Sequence, residues 1–399
     1  MHETAHRAKR LPRPPLVQVL GLACAAAVGL GIARFAYALI LPDMRADLGW
    51  SYSAAGWLNT TNALGYLAGA LLAAHAKRRV GAFRTVQIGV WMCIASLAIC
   101  VVLRDPILLN IARIVAGVGA GLAFVSGGFL AARLAARDEG NAILLGLFYA
   151  GPGFGIALSG MSVPLVLAKA GPDSWPLAWG LLAIASTLLA FALRLGRPET
   201  EDEAVSRAGS GIELRRMIPI LIGYAFYGAG YIGYMTFVIA WVRANGAGVP
   251  LQASVFIVIG LGAMASPWLW GRFMKRTLNG TAFAVLTATL ALGSSFVALS
   301  DSSVLLFLSA GVVGATFLAV VASTTAFVRR NFSIDRWTAG IGAMTMSFGI
   351  GQILGPVGVG LLSDMTGGVA AGQWISTGLL VTGAAIGFLQ SDLLGARKS

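Results

Sequence analysis

The chain has 399 residues, of which 57% are hydrophobic and only 11% are charged, with 29 Lys and Arg against 16 Asp and Glu. Soluble domains carry about a quarter of their residues as charged side chains, so this composition excludes an ordinary soluble protein. The formal net charge of +13 is spread over short connecting segments, which argues against nucleic acid as a partner and favours basic loops beside anionic lipid headgroups.

Twelve apolar stretches predict twelve membrane-spanning helices, because each is about long enough to cross a hydrocarbon core of roughly 30 Å. Transmembrane β-strands would be about 10 residues long and would alternate in polarity, so helices are favoured. The first stretch follows a basic segment like that of a signal peptide, but its length predicts an uncleaved helix. In chain order the stretches cover residues 16–41, 51–76, 83–103, 107–132, 141–168, 175–195, 217–242, 251–271, 280–300, 303–328, 337–362 and 372–390.

The basic residues predict how these helices are oriented. With the amino terminus in the cytoplasm, the cytoplasmic segments would hold 23 of the 29 Lys and Arg residues, and the outer segments would hold four. This imbalance follows the positive-inside rule. It predicts a multi-pass protein of the cytoplasmic (inner) membrane of a bacterium, with both termini in the cytoplasm and the lipid bilayer as a partner. The two remaining basic residues, Arg34 and Arg113, fall inside apolar stretches.

A polar segment, residues 196–216, separates six predicted helices from the other six. The pair Gly151-Pro152 recurs as Gly355-Pro356 at an offset of 204 residues, as a duplicated half would require. Both pairs are candidate gating bends, with helix packing as the alternative. The predicted units are a cytoplasmic tail, a six-helix bundle, a cytoplasmic linker, a second six-helix bundle and a second tail, over residues 1–15, 16–195, 196–216, 217–390 and 391–399.

Two motifs resemble signatures of the major facilitator superfamily. Residues 113–121, in the fourth predicted helix, resemble its R-x-x-x-G-x-G-x-G signature, and residues 151–155 resemble G-P-x-x-G-G with Ile in the last position. Residues 31–42 are also similar to a bacterial subgroup labelled YbfB/YjiJ-type. The resemblance covers essentially the whole chain. It implies an all-α membrane protein with twelve transmembrane helices in two pseudo-symmetric six-helix bundles, working as a transporter by alternating access.

The segment between the second and third predicted helices departs from the superfamily's G-x-L-a-D-r-x-G-r-k pattern. The basic run Lys77–Arg79 is present, but the aspartate is absent and His75 stands nearby. We therefore expect Asp138 and Glu139, on the next cytoplasmic segment, to pair with this basic run instead.

The two arginines inside apolar stretches are the first candidates for binding a substrate. A guanidinium within the membrane costs several kcal/mol unless it faces water, protein or a ligand. At 1.5 Å per residue, Arg34 lies about 10 Å and Arg113 about 9 Å below the outer interface. The resemblance implies that helices 1, 4, 7 and 10 line a central cavity, so the pair could clamp a carboxylate or phosphate. The alternatives are an Arg34 that reaches the interface or a loop carbonyl, and an Arg113 that only braces helix 4 against helix 1.

Tyrosines supply the other candidate substrate-binding residues. Tyr227, Tyr231 and Tyr234 lie at i, i+4 and i+7, on one face of the seventh predicted helix. Tyr37 on the first helix would face the same space. Buried phenolic hydroxyls need hydrogen-bond partners, which a wet cavity supplies, but packing between helices is the alternative.

The positions of the acidic residues limit the possible functions. All 16 Asp and Glu residues lie in predicted loops or near helix ends, and the three histidines are terminal or near the inner surface. This disfavours an exporter that works through a buried acid, and also an intramembrane enzyme, which needs a nucleophile–base pair or metal ligands at membrane depth. The chain is predicted to be a secondary active transporter of a small solute, an organic anion, acting as a monomer without cofactor or metal. The alternative is a proton-coupled exporter of hydrophobic drug-like or neutral compounds.

Overall fold

The computed structural model describes residues 13–138, 141–171, 173–198, 212–299, 302–333 and 336–393. Over these ranges the chain forms twelve long helices and no strand, which confirms the predicted all-α fold. Most of the predicted linker and most of both predicted tails lie outside the described residues. The helices are α1 Pro15–Asp47, α2 Tyr52–Val80, α3 Ala82–Ile99, α4 Pro106–Arg137, α5 Ala142–Ala170, α6 Trp175–Leu193, α7 Ile218–Ala244, α8 Val249–Met274, α9 Thr281–Leu299, α10 Ser303–Asn331, α11 Trp337–Thr366 and α12 Val369–Phe388.

Two helix starts show why the boundaries fall where they do. The Ser51 side chain accepts a hydrogen bond from Ala54 N at 3.1 Å and caps α2. Asp105 accepts from Leu108 N at 2.9 Å and caps α4, whose first residue is Pro106. These are favoured N-cap and first-turn residues, because they satisfy or remove backbone donors that the first turn leaves free.

Eleven helices in the described part of the chain are long and apolar enough to cross a membrane by length and composition. The remaining long helix, α2, is more polar because it carries Asn59, Thr60, Thr61 and Asn62, all of which are buried in the protein. Its polar residues therefore face other helices. This agrees with the prediction of a helix over residues 51–76, although α2 extends to Val80.

The two halves of the chain pack their helices in the same way. A Cβ added at Gly117 of α4 would lie 2.1 Å from Asn62 O of α2, so these two backbones are in direct contact. In the second half, a Cβ at Gly314 of α10 would lie 2.4 Å from Ile259 O of α8. Equivalent close crossings in both halves are expected of two parallel six-helix repeats.

The two Gly-Pro pairs also occupy equivalent positions. A Cβ at Gly151 of α5 would lie 2.4 Å from Ala23 O of α1, and a Cβ at Gly355 of α11 would lie 2.4 Å from Ala229 O of α7. Helices α5 and α11 continue through both prolines. The pairs thus lie at the contacts of α5 with α1 and of α11 with α7, and their role in gating stays a prediction.

The described ends of the chain lie at one face of the helix bundle. A Cβ at Gly21 of α1 would lie 2.3 Å from Gly196 N, and Gly280 N donates to Gln390 O at 2.9 Å. We call this the terminal face. It includes the α2–α3, α4–α5, α8–α9 and α10–α11 connections. The opposite face is called the far face, and it includes residues 48–51, 100–105, 173–174, 245–248 and 367–368.

Candidate functional site

The site begins with an irregularity in α1. This helix is α-helical over Pro15–Ala26 and Tyr37–Asp47, but π-helical over Ala27–Phe35. π-helical segments are rare in proteins, but those that do occur are frequently found at functional sites. A Cβ at Gly31 would lie 2.5 Å from Pro152 O of α5, so the segment packs closely against α5. Arg34 lies in the last turn of this segment.

Arg34 is a buried cation with unused hydrogen-bond donors. Its residue exposure is 2%, and its Nε and Nη2 atoms have no hydrogen-bond partner. Within the described ranges no carboxylate forms an ion pair with it. Asp43, the nearest acid on α1, instead pairs with Arg243 Nη1 at 2.6 Å. The guanidinium carbon lies 4.8 Å from the ring centroid of Tyr66 and 5.9 Å from that of Phe35. Arg34 is therefore enclosed by protein but lacks a neutralising partner.

Arg113 is equally buried but differently bonded. Its Nη1 donates to Ala33 O at 2.5 Å and its Nη2 donates to Arg34 O at 3.5 Å, while its Nε has no partner. The guanidinium carbon lies 5.4 Å from the ring centroid of Tyr37 and 5.6 Å from that of Trp179. This geometry supports the bracing of α4 against the end of the π-helical segment. Contact between Arg113 and a substrate stays a prediction.

Three of the candidate tyrosine hydroxyls already have partners within their own halves. Tyr37 donates to Ala55 O at 2.9 Å, joining α1 to α2. The hydroxyls of Tyr234 and Ser309 lie 2.8 Å apart, joining α7 to α10. Tyr227 donates to a backbone carbonyl of α10 at 2.5 Å. These contacts favour the packing alternative for the three residues, and their role in binding a substrate stays a prediction.

Tyr231 takes part in a contact that leaves one polar atom free. Gln352 Nε2 of α11 donates to the Tyr231 hydroxyl, while Gln352 Oε1 is buried without a partner. Tyr231 lies near Arg34, and the ring of Tyr66 lies 4.8 Å from the Arg34 guanidinium carbon. We call Arg34, Tyr66, Tyr231 and Gln352 the central cluster. Its first two members come from the first half of the chain and its last two from the second.

At the far face, carboxylates join the two halves. Asp43 of α1 pairs with Arg243 of α7, as described above. The Asp364 carboxylate of α11 accepts hydrogen bonds from Tyr52 N at 2.7 Å and Ser53 N at 2.9 Å. These two amides begin α2, where free backbone donors and the helix dipole favour a negative charge. Such contacts close the far face between the halves in this conformation.

Neutral side chains continue this closure toward the interior. Asn59 Nδ2 donates to Thr236 Oγ1 at 2.6 Å, and Thr60 Oγ1 donates to Ile353 O at 2.8 Å. Both contacts join α2 to the second half. Tyr66 lies 14 residues after the start of α2, about 21 Å along its axis at 1.5 Å per residue. The central cluster therefore lies deeper than these closing contacts.

Polar side chains also lead from the central cluster toward the terminal face. Tyr66 is partly exposed and lies near Tyr149 of α5, which is also partly exposed. Tyr149 in turn lies near Arg329, an exposed residue at the end of α10. The cluster is thus closed from the far face and is linked to the terminal face by partly exposed polar groups.

Sequence reasoning missed two features of this arrangement. Tyr66 was not a candidate, although Asn59, Asn62 and Tyr66 lie at i, i+3 and i+7 and so share one face of a helix. That spacing could have identified it. The contact of Asp43 with Arg243 had no local signal, because the two residues are 200 positions apart.

The basic run in the last turn of α2 also differs from expectation. Asp138 accepts a hydrogen bond from Asn141 Nδ2 at 3.0 Å instead of pairing with the run. The Lys77 ammonium lies 4.2 Å from the ring centroid of Phe129. Here the aromatic ring at the end of α4 provides the nearby cation-binding surface, so the expected pairing with Asp138 is wrong. Glu139 lies outside the described residues.

Sequence comparisons identify relatives over most of the chain. A family model described as "Uncharacterised MFS-type transporter YbfB" matches residues 26–388. The "Putative transporter AraJ" of Escherichia coli is 24% identical over 258 residues, which is 62% of this chain. The chain spans 63% of the length of that relative.

Solved structures with the same fold extend over almost the whole chain. A bacterial homologue of the human lysosomal transporter Spinster, in an inward-facing and unoccupied conformation, aligns with a TM-score of 0.74 at 15% identity, covering 95% of this chain and 97% of its own. The nucleoside transporter NupG aligns with a TM-score of 0.70 at 15% identity, covering 96% and 98%. A D-xylose-proton symporter aligns at 0.67 and 17%, covering 94% and 96%. At these identities the likeness concerns the fold alone.

Proposed function

Because the chain belongs to the YbfB-type family of major facilitator superfamily transporters, we propose that it moves a small organic anion across a bacterial inner membrane by alternating access. In this proposal the protein is a secondary active carrier that acts as a monomer without cofactor. The terminal face is cytoplasmic and the far face is external. Arg34 binds the anionic group of the substrate between the two halves.

The free guanidinium of Arg34 carries the proposal. Buried polar atoms in folded proteins nearly always have hydrogen-bond partners, and a buried charge is paired or bound to a ligand. Arg34 has two unpartnered donors and no acidic neighbour in the described structure. A carboxylate fits a guanidinium through two parallel hydrogen bonds, so an anion would satisfy both donors at once.

The position of Arg34 fits a carrier site better than a structural role. Arg113, at similar depth, donates hydrogen bonds from both Nη atoms to backbone carbonyls at the end of the π-helical segment and so stabilises it. Arg34 has no such task. It also lies at the boundary between the halves, because Phe35, the next residue along α1, meets Phe317 of the second half with ring centroids 5.6 Å apart. A ligand at this boundary contacts both halves and can therefore favour one of two arrangements.

The first prediction concerns transport by an Arg34→Ala variant. We expect the parent protein in proteoliposomes to take up at least one of radiolabelled benzoate, phenylacetate, lactate and succinate. Uptake of that compound by the variant should be about 10- to 100-fold lower. The loss corresponds to a charged hydrogen-bonded contact of about 1.5–3 kcal/mol. Arg34→Lys should retain part of the activity, because it keeps the charge but not the two-pronged geometry.

Arg272→Ala is the matched control, because Arg272 is exposed near the end of α8 and far along the chain from the central cluster. It should transport like the parent protein. Undiminished transport of every anion by Arg34→Ala would contradict the proposed site. Proton release from detergent-solubilised protein on addition of a neutral hydrophobic compound, with no response to any anion, would instead support the exporter alternative.

The second prediction concerns orientation. In a Cys24→Ala background, in which the other two cysteines are buried, a membrane-impermeant maleimide added to intact cells should label Asn245→Cys at the far face. It should leave Lys275→Cys, near the terminal face, unlabelled until the membrane is permeabilised. Both positions are exposed in the structure. Labelling of Lys275→Cys alone in intact cells would reverse the proposed orientation.

A further inference from the structure

The central cluster has unused hydrogen-bonding capacity of two kinds. Arg34 offers two donors, Nε and Nη2, while Gln352 offers one acceptor, Oε1, and both residues are at least 98% buried. The Tyr231 hydroxyl accepts from Gln352 Nε2, and the Tyr231 ring is joined through Phe317 to Phe35, the ring beside Arg34. A ligand that satisfies all three atoms needs an anionic group at one place and a separate hydrogen-bond donor at another.

Flat aromatic surfaces surround the same cluster. Phe348 of α11 is nearly parallel to Tyr224, Tyr227 and Tyr231 of α7, with ring centroids 4.9, 5.8 and 5.7 Å apart and interplanar angles of 12–15°. Tyr231 is also nearly parallel to Phe317 of α10, at 6.1 Å and 14°. Parallel rings present faces and edges on which another planar ring stacks well.

A third ring surface comes from the first half of the chain. The Arg34 guanidinium carbon lies over the Tyr66 ring, 4.8 Å from its centroid. Phe35 and Phe317 meet edge to face, with ring centroids 5.6 Å apart. Aromatic rings therefore flank the anion-binding group as well as the amide. An aliphatic chain would bury the same area here but would gain none of the stacking contacts.

Resting on the proposed function, in which Arg34 holds an anion, we propose that the substrate is an aromatic monocarboxylate that carries a hydroxyl or amino group. Its carboxylate accepts from Arg34 and its hydroxyl or amino group donates to Gln352 Oε1. Its ring lies against Tyr66 and the parallel rings around Phe348.

Other anion classes fit the described residues less well. A dicarboxylate or a phosphate ester needs a second cation, but the other membrane-embedded arginine, Arg113, already uses both Nη atoms on the carbonyls of Ala33 and Arg34. An aliphatic monocarboxylate leaves Gln352 Oε1 unsatisfied in a buried position, which is unfavourable. A single guanidinium, one amide acceptor and several rings match one charge, one donor and one planar ring.

The test is a competition assay with the full-length parent protein in proteoliposomes, using radiolabelled 4-hydroxybenzoate. The competitors are 3- and 4-hydroxybenzoate, 4-aminobenzoate, benzoate, 4-methoxybenzoate, cyclohexanecarboxylate and succinate. We expect at least one hydroxy- or aminobenzoate to bind about tenfold more tightly than benzoate and 4-methoxybenzoate, because only the former donate to a buried acceptor. Cyclohexanecarboxylate and succinate should be weaker than benzoate.

A Gln352→Leu variant should remove the preference for the hydroxyl or amino group, so that hydroxybenzoates and benzoate bind it about equally. Gln87→Leu, on the outer surface of α3, is the matched control and should keep the preference. If the parent protein binds hydroxybenzoates and benzoate equally, or aliphatic acids as well as aromatic ones, the assigned class is wrong while the anion site stands. If no carboxylate competes or is taken up, the proposed function itself fails.

The competition assay with the parent protein tests the assigned substrate class even if Gln352→Leu does not fold. In that case Gln352→Met, which keeps the length of the side chain but not its oxygen acceptor, replaces it. A parent protein with no hydroxyl preference overturns the proposal whatever either variant does.

Discussion

Replacing Gly56 with valine is expected to abolish transport while leaving each half of the protein folded. A Cβ at Gly56 of α2 would lie 2.3 Å from Pro356 O and 3.3 Å from Phe237 Cζ, both of which belong to the other half. The backbone carbonyl cannot move aside as a flexible side chain would. Valine therefore prevents the close approach of α2 and α11 that closes the far face, since the three atoms nearest the added Cβ all belong to the second half.

Uptake and conformation together test this result. The variant should show background uptake, and a cysteine at Asn59→Cys, a 5% exposed position among the contacts that close the far face, should be labelled by maleimide more rapidly from that side when Gly56→Val is present than when it is absent. Gly358→Val is the matched control, because a Cβ on that α11 glycine meets nothing within 4 Å. It should transport normally.

A companion variant approaches the same contact from α11. A Cβ at Gly360 would lie 2.5 Å from Tyr52 O of α2, so Gly360→Val should act in the same way as Gly56→Val. Uptake at the parent level by both variants would show that this approach of the halves is not part of the transport cycle.

The second large effect is expected on stability. Arg113→Ala should lower the apparent melting temperature of the detergent-solubilised protein by about 5–10 °C, corresponding to a loss of roughly 3 kcal/mol. The substitution removes hydrogen bonds to Ala33 O and Arg34 O and leaves an empty volume beside the rings of Tyr37 and Trp179. Buried carbonyls without donors and an empty core volume both destabilise the folded state.

Arg34→Ala provides the comparison, since the same substitution is made at a similar depth. Removing a buried and unpaired guanidinium should leave the melting temperature unchanged or raise it, because the cost of burying the charge disappears. Molecules of the Arg113→Ala variant that remain folded should keep the affinity of the parent for a transported carboxylate. A large rise in its KM without a loss of stability would instead make Arg113 a substrate ligand.

The sequence predicted the helices well because their cause is local. Apolar length and the placement of basic residues depend only on the bilayer. The predicted stretch 107–132 lies within the observed α4, Pro106–Arg137, which continues beyond it. Prediction stopped near the length of a hydrocarbon core, whereas α4 continues to Arg137 and α3 already ends at Ile99, before the predicted residue 103. The break in α1 had no such local cause and was not predicted.

The central cluster was only half predicted, for a related reason. Arg34 could be recognised because a cation in an apolar stretch is costly wherever the chain folds. Tyr231 could be recognised by its helical spacing. The pairing of Gln352 with Tyr231, and the role of Tyr66, depend on how α2, α7 and α11 meet. The Gln352–Tyr231 contact joins residues 121 positions apart, and one sequence contains no record of it.

The π-helical stretch Ala27–Phe35 gives the first helix a swivel. Its hydrogen bonds span five residues, whereas those of a regular helix span four. Converting one π-helical turn to an α-helical turn would rotate the part of α1 that follows it by about 100°, the angular step of one residue at 3.6 residues per turn. Each amide would exchange one acceptor for its neighbour, so the chain could reorient the Arg34 charge about the helix axis without melting.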